Sequence, residues 1–248
     1  MAQDPSTVTP YHDKSSGKKE QVAEMFDNIA GRYDFLNHFL SLGIDITWRR
    51  KAIRKLRSIQ PKAILDIATG TGDFAVEASR LKPNKIVGVD ISHEMLEVGR
   101  KKMVRKSLEN LIDMRSGDSE NLQFEDNSFD AITVAFGVRN FENLDKGLSE
   151  MHRVLRPGGK AAIIEFSRPR KFPVKQLYFF YFLKILPAIG RWFSKDARAY
   201  SYLPESVQAF PDGEDFIGRM HQAGFKEMKA YALTFGIATL YMGSKTGN

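Results

Sequence analysis

Residues 64–73 read Ile64-Leu65-Asp66-Ile67-Ala68-Thr69-Gly70-Thr71-Gly72-Asp73. An apolar run containing one acid leads into a turn with two glycines. Gly70 and Gly72 let the backbone turn tightly and approach a ligand without a Cβ in the way. The stretch therefore predicts a strand, a ligand-binding turn and the start of a helix, although a plain tight turn would look the same.

Short apolar runs alternate with helical patterns on the carboxyl side of this stretch. Strands are predicted at 63–68, 85–89, 112–115, 129–135 and 160–166, with helices between them. This alternation predicts an α/β fold with a mostly parallel sheet covered by helices on both faces. Two further strands, at 225–232 and 233–242, follow each other without room for a helix. They predict an antiparallel partner at the edge of the sheet.

Acidic residues lie at the carboxyl ends of three predicted strands. Asp90 comes eighteen positions after Gly72, where a carboxylate can accept hydrogen bonds from two ribose hydroxyls. Asp118, with Ser119, follows the third strand and is placed to receive an adenine amine. Asp66 precedes the glycines and could orient the loop or a ligand's ammonium. Each acid by itself is equally compatible with a helix cap or a solvated loop. Together they predict a nucleoside-type ligand at the carboxyl ends of the strands.

The glycine turn also satisfies a loose dinucleotide fingerprint, Gly70-x-Gly72-x-x-Ala75. However, Asp73 opens the following helix and would repel a pyrophosphate at that position. A ligand with a sulfonium and an ammonium meets no such conflict, which favours S-adenosylmethionine over NAD. An NAD-dependent oxidoreductase and a membrane-surface adaptor on a degenerate nucleotide-binding scaffold remain the alternatives.

The net charge of +7 is concentrated in one segment. Residues 168–198 contain eight Lys or Arg and one acid, so the rest of the chain is balanced. The same segment contains the aromatic run 177–183 but no apolar stretch of the ~20 residues that a membrane span needs. This combination predicts contact with an anionic membrane surface. A core helix and a surface that stacks single-stranded nucleic acid are the alternatives, the second disfavoured.

The chain lacks cysteine, which excludes disulfides and thiolate chemistry. Residues 1–19 are polar and predict a disordered arm rather than a secretory signal. Residues 20–60 are predicted to form helices that cover the active site. Residues 61–248 are predicted to form the main domain, with the basic-aromatic insert at 168–198. The five histidines show no ligand spacing, so no metal is predicted. A cytoplasmic protein at the inner face of the membrane is expected.

Several longer motifs resemble a known family. Residues 66–72, the Gly117-Asp118 step and residues 155–159 (LRPGG) are similar to the class I methyltransferase pattern. The segments 26–34 (FDNIAGRYD) with 36–37, 136–140 (FGVRN) and 199–203 (AYSYL) resemble the ubiquinone/menaquinone biosynthesis C-methyltransferase family. The resemblance covers roughly residues 20 to 243. It implies a Rossmann-like class I fold, with a seven-stranded sheet whose last strand is antiparallel.

The resemblance also implies the activity and the donor contacts. The activity is methylation of a ring carbon on a polyprenylated quinol, either demethylmenaquinol or 2-methoxy-6-polyprenyl-1,4-benzoquinol. The loop sequence Ala68-Thr69-Gly70 is closer to the menaquinone-only members. The donor contacts of the family fall on Thr71, Asp90, Asp118 and Ser119. A serine sometimes counted among them is Ala135 here, which puts one hydrogen bond in doubt.

Candidates for the chemistry follow the fourth predicted strand. Arg139 and Asn140 lie just beyond the Phe136-Gly137 step. A guanidinium is too basic to act as a simple base, but it can stabilise a developing oxyanion or polarise a water. A salt bridge to a neighbouring helix is the structural alternative for Arg139. The secondary candidates near the same mouth are Tyr33, Glu165, Tyr200 and Tyr202.

Overall fold

The computed structural model describes residues 7–11, 15–40, 43–180 and 198–247, without the side chains of 32–40, 199 and 200. Its helices are α1 Lys18–Leu40, α2 Ile44–Leu56, α3 Asp73–Ala78, α4 His93–Arg105, α5 Leu144–Val154, α6 Val174–Phe180, α7 Arg198–Ala209 and α8 Glu214–Gln222. Its strands are β1 Ala63–Ile67, β2 Lys85–Asp90, β3 Ile112–Ser116, β4 Phe129–Ala135, β5 Leu155–Phe166, β6 Lys226–Leu233 and β7 Ala238–Ser244.

The seven strands form one sheet in the order β3-β2-β1-β4-β5-β7-β6. The pairs among β1 to β5 are parallel, with Asp66 beside Gly88 of β2 and Thr133 of β4. Strand β7 is antiparallel to both β5 and β6. The order reverses between β1 and β4, which is the switch point where open α/β sheets bind ligands. The predicted α/β sheet with an antiparallel last strand is therefore confirmed.

The position of the antiparallel strand within the sheet differs from the prediction. Strand β7 lies one place inside the edge, and β6 forms the edge itself. Every residue of β7 is buried, whereas most of β6 is exposed or half-buried. An apolar strand is stabilised by neighbours on both sides, while a polar strand tolerates the edge. A turn at Thr234–Gly236 separates the two, so the last strand also begins later than predicted.

Side chains of alternate residues on each strand enter two cores. On one face, Leu65, Ile67 and Val134 pack with apolar side chains of α5 and α8. On the other face, Ile64 and Ile86 pack with side chains of α2, α3 and α4. Successive side chains of a strand point to opposite faces, so this two-residue period produces a sheet buried on both sides.

A third apolar cluster lies over the carboxyl edge of the sheet. It joins α1, through Val22 and Met25, to Tyr178 of α6 and Tyr202 of α7. The amino-terminal segment takes part as well, through the residues Val8 and Tyr11. Helix α1 thus lies in this cluster, whereas α2 packs on a face of the sheet against residues of β1 and β5.

The amino-terminal arm is packed where the structure describes it, which differs from the disordered arm predicted for residues 1–19. Val8 and Tyr11 are buried, and the backbone N–H of Tyr11 donates to the side chain of Gln21 at 2.9 Å. The Asn28 amide donates to the Tyr11 hydroxyl at 3.3 Å. Two apolar side chains in a polar segment suffice to hold it against the third cluster, a pattern too sparse to read from composition.

Candidate donor and acceptor site

The turn after β1 is held from beneath by Asp66. Its carboxylate is almost completely buried and accepts hydrogen bonds from the hydroxyls of Thr69, at 2.5 Å, and Thr133, at 2.6 Å. Burial raises the pKa of Asp66 from 3.8 to about 6, although both hydroxyl bonds and the charge of Arg49 oppose the shift. Asp66 therefore orients the loop and ties it to β4.

A cleft of about 650 Å³ opens above this turn at the switch point. It is lined by parts of α1, β2 and β4 and by the segments that follow β1, β3 and β4. Gly70, Asp90, Asp118, Ser119 and Asn140 all line it, so five of the predicted site residues are brought together. A second cavity of about 340 Å³ shares Ala68, Gly70 and Ala135 with the cleft and is lined further by Asp66 and Thr71.

Asp90 fixes two backbone segments beside the cleft. Its carboxylate accepts from the N–H of Gly70 at 2.7 Å and from the N–H of Ser92 at 2.9 Å. Burial raises its pKa, against the effect of these bonds. The Ser92 hydroxyl caps α4 and also donates to Asp27 of α1 at 2.6 Å. A carboxylate has about four lone-pair sites, so Asp90 retains acceptor capacity for a ligand.

Asp118 is approached by a cation that the sequence did not reveal. Lys19 of α1 forms an ion pair with Asp118 at 2.7 Å and with Glu120 at 3.3 Å. Burial would lower the pKa of Lys19, but the hydrogen bond to Asp118 and the charge of Glu120 raise it. Glu120 is buried and accepts from the backbone N–H groups of Glu142 and Asn143. Helix α1 is thereby pinned to the donor side of the cleft.

Thr71 lines the smaller cavity, and its hydroxyl is hydrogen-bonded to a lysine. It accepts from the buried ammonium of Lys102 at 2.8 Å, and the same ammonium pairs with Asp73 at 2.7 Å. The charge of Asp73, which argued against a pyrophosphate, is therefore neutralised. Gly72 has φ 84° and lines neither cavity. These residues shape the loop from behind.

Arg139 is buried and does not line the cleft. Its guanidinium pairs with Glu165 at 3.0 Å and donates to the carbonyl of Phe136 and, at 3.3 Å, to the hydroxyl of Ser206. Burial raises the pKa of Glu165, opposed first by the charge of Arg139. Arg139 thus forms the salt bridge that was the structural alternative to a role in chemistry, but its partner lies on β5 and not on a helix.

Asn140 is the candidate for chemistry that reaches the cleft. Its side-chain oxygen accepts from the hydroxyl of Tyr202 at 3.2 Å. Its amide nitrogen makes only a long contact, 3.4 Å, to the carbonyl of Phe136. This nitrogen can therefore donate to an oxygen in the cleft. Burial raises the pKa of Tyr202, which keeps its phenol protonated. The side chains of Tyr33 and Tyr200 lie outside the described residues.

Aromatic rings form one wall of the cleft. Phe136 has φ 59°, in the left-handed region that disfavours a residue with a Cβ. Its ring stacks on Phe166 at 4.5 Å and lies 6.0 Å from the ring of Trp48. Next to it, a Cβ at Gly137 would lie 2.5 Å from the Cβ of Ala68, so only glycine fits. The turn presents a flat apolar surface beside Asn140.

Arg49 is the second cation that the sequence did not single out. It lies on α2 and lines the smaller cavity, with a side chain only 7% exposed. One end of its guanidinium pairs with Asp45, four residues earlier on the same helix. The Nε atom is buried and has no hydrogen-bond partner among the described residues. The Asp45-Arg49 spacing is ordinary for a helix surface, so only the fold reveals that the pair is buried.

No metal centre is visible in the part of the chain that the structure describes, where no three His, Asp or Glu side chains converge. The cleft instead offers two carboxylates, backbone groups and apolar walls. Carboxylates at the ends of two neighbouring strands, beyond a glycine turn, are typical of a site for a nucleoside-containing ligand.

Solved structures with this architecture include several methyltransferases. The SAM-dependent methyltransferase of Thermotoga maritima matches with a TM-score of 0.62 at 22% identity, over 90% of this chain and 99% of that one. An S-adenosyl-L-methionine-dependent methyltransferase of Methanococcus maripaludis matches with a TM-score of 0.60 at 19% identity, over 95% and 97%. These likenesses show the fold, a mostly parallel α/β sheet with one antiparallel strand.

The family follows from the sequence comparison. The model of the ubiE/COQ5 methyltransferase family matches residues 14–245, so the chain belongs to this family. The demethylmenaquinone methyltransferase of Bacteroides fragilis is 51% identical over 96% of this chain and 97% of its own. That of Porphyromonas gingivalis is 48% identical over 98% and 100%. The ubiquinone/menaquinone biosynthesis C-methyltransferase UbiE of Geotalea daltonii is 50% identical over 94% and 99%.

The raised pKa of Asp66 predicts a pH dependence of stability. The unfolded chain releases this proton near pH 3.8, whereas the folded chain holds it up to about pH 6. The wild type should therefore lose stability relative to Asp66→Asn as pH rises from about 4 to about 7, by about 3 kcal/mol. Urea unfolding of both proteins across this range measures the difference.

Asp130→Asn is the control of opposite sign. Burial opposes the shift, but hydrogen bonds from Arg156 and from backbone N–H groups lower the pKa of Asp130. The wild type should lose stability relative to this variant as the pH falls below 3.8, the ordinary pKa of an aspartate carboxyl, and not as the pH rises. A difference between the wild type and Asp66→Asn that stays constant across the range would contradict a proton-binding Asp66.

Proposed function

We propose that this protein transfers a methyl group from S-adenosylmethionine to a ring carbon of a polyprenylated quinol, with demethylmenaquinol as the acceptor. One observation carries the proposal. Four of the predicted donor residues line a single cleft together with Asn140, in a chain 51% identical along nearly its whole length to a demethylmenaquinone methyltransferase. These four are Gly70, Asp90, Asp118 and Ser119. That name belongs to the relative, and the cleft is the reason for extending it to this chain.

The donor side of the cleft fits S-adenosylmethionine. Gly70 leaves room for close approach at the floor, Asp90 offers acceptor capacity for ribose hydroxyls, and Asp118 offers the same for an adenine amine. When bound, S-adenosylmethionine supplies a methyl group already activated by a sulfonium. The protein therefore has to align donor and acceptor and to exclude water, and no covalent enzyme intermediate is required.

The acceptor side fits an electron-rich ring. The ring of Phe136 lines the cleft, is supported by the stacked ring of Phe166, and offers an apolar surface for the quinol. The amide of Asn140 can donate to a ring oxygen. Attack by a ring carbon needs the adjacent hydroxyl to become partly anionic. A hydrogen bond aimed at that oxygen stabilises the developing charge. Tyr202 holds the amide by its oxygen and so turns its nitrogen toward the cleft.

Arg139 acts as a positioning residue in this scheme. It grips the carbonyl of Phe136 and the carboxylate of Glu165, and so sets the geometry of the turn that carries Asn140. The ammonium of Lys18 donates to the carbonyl of Arg139 at 3.1 Å and links α1 to the same turn. This role differs from the direct contact with the reacting oxygen expected from the sequence, because the guanidinium lies beneath the cleft surface.

The alternative acceptor is 2-methoxy-6-polyprenyl-1,4-benzoquinol. Relatives named for both ubiquinone and menaquinone biosynthesis reach 50% identity, so percentage identity does not separate the two ring types. The choice of demethylmenaquinol rests on the name of the 51% identical relative and on the Ala68-Thr69-Gly70 loop. Membership in a methyltransferase family removes the support for an NAD-dependent oxidoreductase or an adaptor.

Purified protein should convert a reduced short-chain demethylmenaquinol and S-adenosylmethionine into the ring-methylated quinol and S-adenosylhomocysteine. Mass spectrometry of both products measures the reaction, and the benzoquinol acceptor is run in parallel. Faster turnover of the benzoquinol would reverse the choice of acceptor. Methylation of neither ring, with donor binding intact, would refute the quinol proposal.

Arg139→Gln should lower kcat by roughly tenfold to a hundredfold, because the turn that aims Asn140 loses its anchor. The dissociation constant of S-adenosylmethionine should stay nearly unchanged, since Arg139 does not line the donor cleft. Single-turnover rates and calorimetric titration separate the two effects. Arg156→Gln, which breaks an exposed ion pair with Asp130, is the matched control and should behave as wild type. Loss of donor affinity in Arg139→Gln with normal turnover would contradict the assignment.

We further propose that the protein works at an anionic membrane surface, where a polyprenylated quinol resides. None of the helices within the described residues is long and apolar enough to cross a membrane. The structure describes residues 168–180 and 198 of the basic-aromatic insert, and the remainder, 181–197, lies outside the described residues.

Exposed apolar and cationic side chains adjoin each other on the described part of the insert. Phe172, Leu177 and Phe180 are 81%, 65% and 62% exposed. The exposed Lys171 and Lys175 alternate with them. A further ring, Phe235, is 82% exposed on the turn before β7, and this turn contacts residues 167–169 through the bond from Ser167 to Gly236. Exposed rings beside free cations suit the headgroup region of an anionic bilayer.

The double variant Lys171→Glu with Lys175→Glu should bind vesicles of anionic lipid more than tenfold more weakly at low salt, since each cation contributes about 1 kcal/mol there. Turnover of a short-chain, water-soluble quinol should be unaffected. Lys62→Glu with Lys85→Glu, at the opposite ends of the strands, is the matched control. Sedimentation with vesicles measures binding. Normal sedimentation of the first double variant would contradict the proposal.

A further inference from the structure

The smaller cavity contains two buried ionic groups of opposite sign. Arg49 enters it from α2, and Asp66 lies at its base beneath the glycine turn. The third charged residue in its lining, Asp73, is already neutralised by Lys102. Its other lining residues are Ala68, Thr69, Gly70, Thr71, Phe74 and Ala135.

The guanidinium of Arg49 is incompletely satisfied by the described residues. It is 7% exposed, its Nη1 pairs with Asp45, and its buried Nε has no hydrogen-bond partner among them. A buried N–H without a partner is destabilising, and a bound ligand that accepts its hydrogen bond would account for it. The ring of Phe136, a residue that lines the cleft, lies 6.0 Å from the guanidinium carbon.

The smaller cavity and the cleft are adjacent. Ala68, Gly70 and Ala135 line both, so a single ligand that passes over Gly70 can reach both. The cleft holds the acids suited to a nucleoside, Asp90 and Asp118. The remaining part of the same ligand then faces Arg49 and Asp66.

We infer that Arg49 binds the carboxylate of the α-amino acid end of the methyl donor, opposite Asp66, which faces the ammonium. This inference rests on the proposed donor, S-adenosylmethionine, and assigns the orientation of that donor in the site. A zwitterion places one negative and one positive group a few bonds apart, and the cavity offers one cation and one anion. A guanidinium is the side chain best suited to a planar carboxylate, since its fork of N–H donors matches the two oxygens.

The test compares ligands that differ only at the carboxylate. Arg49→Met should bind S-adenosylmethionine and S-adenosylhomocysteine at least tenfold more weakly than the wild type. Its affinity for decarboxylated S-adenosylmethionine should equal that of the wild type, because that ligand lacks the group Arg49 contacts. Calorimetric titration measures all three ligands. Arg49→Lys should recover part of the affinity, since it keeps the charge and loses the fork.

Two further variants control for folding. Arg49→Met leaves the buried Asp45 without this cation, so Asp45→Asn with Arg49→Met is measured as well and should show the same ligand discrimination. Arg50→Met removes the neighbouring, half-exposed arginine that reaches Glu77 and should bind all ligands normally.

The inference would be overturned if Arg49→Met, alone and combined with Asp45→Asn, lost as much affinity for decarboxylated S-adenosylmethionine as for S-adenosylmethionine. Arg49 would then be a purely structural residue. Unchanged affinity for both ligands would overturn it too. If the wild type binds no S-adenosylmethionine, the proposed function itself fails, which is a distinct result. Normal wild-type binding without discrimination in the variants refutes only the role of Arg49.

Discussion

The buried carboxylate of Asp66 is the constraint on which the site depends. It lies near the end of β1. Its two oxygens accept hydrogen bonds from the hydroxyls of Thr69 in the turn and of Thr133 on β4. The strand, its neighbour and the turn are therefore fixed relative to one another. Because Gly70 in turn donates to Asp90, the position of the turn also fixes the end of β2. Asp66 thereby fixes, directly or through the turn, the carboxyl ends of β1, β2 and β4 relative to one another.

Much of this edge could be predicted from the sequence. An apolar run followed by Gly70 and Gly72, with acids after the next strands, contains its own spatial information, since the carboxyl ends of parallel strands meet at one edge. The inner place of β7 could not be predicted from adjacency alone. The strand order follows from the burial of β7, which is complete, and of β6, which is mostly exposed or half-buried. This burial depends on the pairing of β7 with β5, a contact between distant parts of the chain.

The ion pairs around the cleft were missed for a related reason. Lys19 and Asp118 are 99 positions apart, and Lys102 meets Asp73 across 29. Nothing in the local pattern distinguishes these lysines from solvated ones on the same helices. Arg139 was found because it follows a strand, but its depth was not, since burial depends on α7 and on Glu165 of β5. For this reason we propose a positioning role for Arg139 in place of the expected contact with the reacting oxygen.

Four cations, Lys19, Arg49, Lys102 and Arg139, reach the carboxyl edge from helices or from the turn after β4, and each meets a carboxylate there. Burying such pairs rarely adds stability, because the desolvation of both charges offsets their attraction. Apolar side chains of similar size would hold the same elements together at less cost. The pairs are better understood as fixing donors and acceptors in place around the cleft. Electrostatic alignment is useful in a methyl transfer, because a sulfonium loses its charge while an oxygen gains one. A catalytic group displaced by about 1 Å can lose about a hundredfold in rate, so its position has to be fixed.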